Sequence, residues 1–133
     1  MSDAYVTEKT LADLDCQFRL EFGKRWLDVY IWKSEAGLHA NTRFCNQDYS
    51  GAYVGCYDRK KRSGLFGEVH LVISEIGAGY VAHELMHFML DWMTNAAGVP
   101  ETSCQNERVC FLMSDLTSLF WTLFYERYEA AKP

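Results

Sequence analysis

The hydrophobic pattern of this 133-residue chain changes period at one place, the GAG step at 77–79, and that change limits the folds open to it. Before the step the pattern is that of strands. In CQFRLEF, Cys16, Phe18, Leu20 and Phe22 alternate with Gln17, Arg19 and Glu21, the period of a half-buried strand. GKR then turns the chain into WLDVYIWK, a second alternating run that completes a hairpin. AYVGCYD and LFGEVHLVIS form a further strand pair joined by the polar turn RKKRSG. In the last of these, Val69, Leu71 and Ile73 share one face, and Glu68, His70 and Ser74 share the other. The segment before residue 16 is expected to hold a short helix.

After the step the pattern is helical. Apolar residues continue nearly all round from 80 to Ala97, which predicts a buried helix stopped by Gly98 and Pro100. TSCQ at 102–105 offers a capping box, and a long helix is expected from Ser103 to about Arg127, with Leu112, Leu116, Leu119, Phe120, Leu123 and Phe124 on a broad apolar face. Strands followed by helices give an α+β fold: a mostly antiparallel N-terminal sheet, a central helix and a long C-terminal helix.

A chain of 133 residues suits one domain, 1–133. Its 49% hydrophobic, 15% aromatic and 23% charged residues can build a globular core. A net charge of -5 counts against nucleic acid and anionic membrane surfaces as partners. No run of about eighteen apolar residues exists to span a membrane. The N-terminal residues lack a basic start followed by an apolar run, so no export signal is expected. The five cysteines are odd in number and include no CxxC pair, which fits reduced thiols in a cytoplasmic protein.

The stretch YVAHELMHFML carries the chemistry. On a helix His83 and His87, four apart, project from one face, and both imidazoles can reach a single zinc ion. Glu84 is turned away from the metal but within reach of a water on it, giving the HExxH pattern of metallohydrolases. The rival reading is a pair of core histidines satisfied by carbonyls. On so apolar a helix, however, buried histidines and a glutamate call for partners. Glu107, in QNERVC on the next helix, is the candidate third ligand, and a solvated first-turn glutamate is its rival.

HELMH followed by Asn106 and Glu107 resembles the gluzincin pattern of thermolysin-like zinc peptidases, over roughly residues 66–115. The resemblance implies a minimal zincin-like domain with His83, His87 and Glu107 as ligands of Zn2+ and Glu84 as general base. The strand GEVHLVIS resembles the edge strand of that fold. Phe111 stands where these enzymes carry an acidic residue one turn after the third ligand, and Met93 stands where metzincins carry a third histidine.

The function expected is therefore a small zinc metallopeptidase acting on a peptide or protein substrate, with no nucleic acid and no membrane as partner. The alternative is a zinc-binding module on the same scaffold without peptidase activity, and hydrolysis of a non-peptide amide is a third reading. A donor is needed for the developing oxyanion. His70, Tyr80, Arg108 and Tyr125 are the candidates, and the sequence does not choose among them. Asp91 and Asp115 are candidates to orient a ligand imidazole. Substrate pairing is expected along residues 66–74. The oligomeric state is not legible in the sequence.

Overall fold

The computed structural model describes residues 9–42, 51–55, 64–93 and 103–129, with the side chains of 103–107 and 129 outside that description. The strands are β1 (Leu14–Phe22), β2 (Arg25–Trp32), β3 (Gly51–Gly55) and β4 (Leu65–Val72). The helices are α1 (Glu35–Asn41), α2 (Ala78–Trp92) and α3 (Ser103–Glu129). The fold is thus α+β, a four-stranded sheet followed by two helices, the last of them long.

The expected hairpin forms. β1 and β2 pair antiparallel, and Gly23 in their turn takes φ 63°, a left-handed conformation that glycine adopts without steric penalty. The sheet order is β1-β2-β4-β3. β4 lies between β2 and β3, parallel to the first and antiparallel to the second. Residues 66–72 therefore do not form a free sheet edge, contrary to the expectation for 66–74. β3 and β1 are the two outer strands of the described sheet, with β3 beside β4.

Phe18 and Leu20 of β1, Leu27, Val29 and Ile31 of β2, and Val69 and Leu71 of β4 meet α2 and α3 in the main core. Phe18 packs edge-on to Phe120 of α3 at 5.4 Å, which docks that helix on β1. The opposite face was expected to be polar and open, and it is not. Glu68 and His70 are buried there beside a second core of Tyr30, Trp32, Leu38 and Val72. α1, a helix the hydrophobic pattern did not indicate, covers this face. It starts at Ser34, whose hydroxyl accepts from Gly37 N–H. A single 3-10 turn, Leu11–Asp13, is the helical structure described ahead of β1.

The helix pattern holds with one correction. α2 is not buried all round: Val81, Glu84, Leu85, Phe88 and Met89 are buried, whereas Ala82, His83, Met86, His87 and Leu90 face solvent. The turn at 56–63, the Gly98 and Pro100 stop and the cap residue Thr102 lie outside the described residues. No helix among the described residues is long and apolar enough to cross a membrane.

Candidate metal centre

α2 runs along β3 in the same direction. Gly51 and Tyr53 pair with Leu71 and Val69, so both lie on the sheet face that carries α2. Tyr80 and Glu84 of α2 come up against Gly51, and Phe88 and Asp91 come up against Tyr53. Tyr53 donates its hydroxyl to an Asp91 carboxylate oxygen at 2.6 Å, tying the outer strand to the last turn of the helix. This contact had no signal in the sequence, because the two residues are 38 apart and neither belongs to a motif.

His83, Glu84 and His87 come together as the spacing predicts. Their donor atoms all lie within 4.8 Å of one another, and among the described residues they are the single such group of His, Cys, Asp and Glu side chains. The two Nε2 atoms are 3.3 Å apart, with the rings nearly perpendicular at 79°. Two nitrogens on one tetrahedral zinc, each at about 2.05 Å, stand about 3.3 Å apart, so the separation of the pair matches that ion. A hydrogen bond of this length between the imidazoles would be a weak one.

The three side chains differ in environment. Both histidines are exposed, so solvent can satisfy them, and the burial argument for a metal partner does not apply to them. It does apply to Glu84, which is 3% exposed and sits between α2 and β3. Removal from water disfavours its charge and pushes its pKa up to about 7. Its Oε2 lies 3.9 Å from His83 Nε2. Partial burial, and then the neighbouring His83 charge, lower the pKa of His87.

Among the candidate oxyanion donors, Tyr80 is near the cluster, its ring packed beside Glu84 against Gly51. His70 is not near it. It is fully buried on the other face of the sheet, stacked on Tyr30 at 4.9 Å and on Trp32 at 6.0 Å, and it cannot reach a substrate at His83. Glu107 lies in the first turns of α3, and its side chain is outside the described residues. Asp115, Arg108 and Tyr125 are exposed on α3, and Asp91 accepts from Tyr53 as described.

No protein-family model, curated protein or solved structure matches this chain.

Proposed function

We propose that the chain is a zincin-like zinc metallopeptidase, with His83, His87 and Glu107 as zinc ligands and Glu84 as general base. One observation carries the reading. Two exposed imidazole nitrogens stand 3.3 Å apart, and a buried carboxylate lies 3.9 Å from one of them. A solvated pair of histidines has no need of a buried acid next to it, whereas a hydrolytic site does. Zinc held by these residues would supply Lewis acidity, lowering the pKa of water toward about 7.

Glu84 then has the acid–base task. Buried beside the imidazole pair, its carboxylate can take a proton at Oε2 and return it to a leaving nitrogen. Tyr80, at its side, is the proposed donor to the developing oxyanion. An extended peptide would pair with the outer edge of β3, the strand against which Glu84 packs, and not with β4, which has strands on both sides.

The test is zinc content followed by turnover. Purified protein reconstituted with Zn2+ should bind one ion per chain and cleave members of a peptide library. Glu84→Gln should keep the ion and lose the cleavage. Stoichiometric zinc with no hydrolysis by the wild type would shift the reading to a metal-containing binding module. Failure to bind zinc after reconstitution would end both.

A further inference from the structure

We infer that Gly51 is a positioning residue: the side chain it lacks leaves the space in which the Glu84 carboxylate and the Tyr80 ring are seated. The inference builds on the role proposed above for Glu84. Gly51 opens β3, where it offers no side chain to pack, so its presence against α2 asks for a reason. Backbone conformation is not that reason, because the positive-φ glycines among the described residues are Gly23 and Gly64. Space is. A Cβ built on Gly51 would stand 2.7 Å from Glu84 Oε2, 3.2 Å from Glu84 Cδ and 2.8 Å from Tyr80 Cε1. By contrast Gly77 and Gly79, just ahead of the histidines, have nothing within 4 Å of such a Cβ.

Two features make this a positioning role and not simply a packing one. The atom in closest conflict is Oε2, the same oxygen that lies 3.9 Å from His83 Nε2. It is also the free end of a flexible side chain, so the fold can accept a methyl group at 51 by letting the carboxylate swing away. An added methyl therefore shifts the base, and with it the Tyr80 ring, relative to the two imidazoles. Misplacement of a reacting group by about 1 Å can cost roughly 100-fold in rate.

Gly51→Ala should thus keep its zinc stoichiometry and KM and lose kcat by one to two orders of magnitude, roughly as that misplacement predicts. Val54→Ala, which weakens the same strand without touching Glu84, should leave kcat unchanged. Two readouts do not depend on turnover. In metal-free protein labelled with 13C at glutamate carboxyls, the Glu84 resonance should move in Gly51→Ala and stay fixed in Val54→Ala. In a thermal double-mutant cycle, the Tm loss caused by Gly51→Ala should shrink in a Glu84→Ala background, since half of the conflict is gone. An unmoved resonance with an additive cycle would overturn the inference, as would a kcat loss equal to that of Val54→Ala. If the wild type shows no hydrolysis at all, the proposed function falls, and the resonance and the cycle still decide the role of Gly51.

Discussion

Trp32 donates its indole N–H to Nδ1 of His70 across 2.9 Å, on the sheet face away from the His83–His87 pair. An indole can only donate, so Nδ1 is the acceptor and the ring proton sits on Nε2. Nε2 in turn donates to Glu68 Oε1 at 2.9 Å, an oxygen that Lys9 Nζ also meets at 3.0 Å. The arrangement holds His70 neutral, and a second proton would set Nδ1–H against the Trp32 N–H.

A pH dependence follows from that pairing. Burial lowers the His70 pKa, while its hydrogen bond with Glu68 and that carboxylate's charge partly oppose the change; Lys9, Asp28 and Tyr30 are the other titratable groups around this network. With the folded pKa below the unfolded value of about 6.5, the unfolded chain binds the proton first, so this residue's contribution is lost as pH falls below that value. Glu84, with its raised pKa, works in the opposite direction, and a single titration would mix the two. The measurement is therefore the urea stability of wild type minus that of His70→Gln, whose amide can both accept from Trp32 and donate to Glu68. The difference should fall between pH 7.5 and about 5.5. A difference independent of pH would contradict the assignment.

The exposed histidines should be separable from the fold. Because His83 and His87 face solvent, His83→Ala and His87→Ala should change metal-free stability by no more than about 0.5 kcal/mol. The same substitutions should abolish the rise in Tm that zinc gives the wild type, since an ion bound only to the native state stabilises it. Differential scanning calorimetry with Zn2+ and then with chelator reads both. A large metal-free loss would mean that the histidines serve packing.

The docking of α3 should be the expensive part of the core. Phe120 is fully buried and packs against Phe18, so Phe120→Ala should cost about 3–5 kcal/mol. Phe111, on the same helix but 64% exposed, should lose less than about 0.5 kcal/mol as alanine. Chemical denaturation of the two variants side by side tests the orientation of the helix.

The cover over the second sheet face depends on two polar side chains. Asp13 accepts from Ser34 N–H at 3.0 Å and from its hydroxyl at 2.7 Å. Asn41, buried in the last turn of α1, accepts from Thr10 N–H at 2.5 Å and donates to the Gly37 carbonyl at 2.7 Å. Asn41→Ala leaves those backbone groups without their partner and should cost about 2–3 kcal/mol. Hydrogen exchange should show the Thr10 amide losing protection. Retained protection there would mean that the clamp is held by other contacts.

What the sequence determined by itself was local and periodic. Alternation placed β1 and β2, the 3.6-residue pattern placed α2 and α3, and the i, i+4 rule brought His83, Glu84 and His87 to one helical turn. α1 escaped because seven residues, EAGLHAN, are too few to show a helical period. Tertiary structure decided everything that depends on what lies across from a residue. Alternation along β4 gave His70 a face but could not say that α1 and the segment from Lys9 would cover it, turning an expected substrate contact into a buried core group. Apolar neighbours along α2 suggested burial all round, yet only one side meets the sheet, leaving the histidines wet and Glu84 dry. Strand order is equally non-local: it put β4 inside and β3 outside, and so set Gly51 against Glu84. Periodicity fixes which way a side chain points, and the pairing of distant segments fixes what it meets.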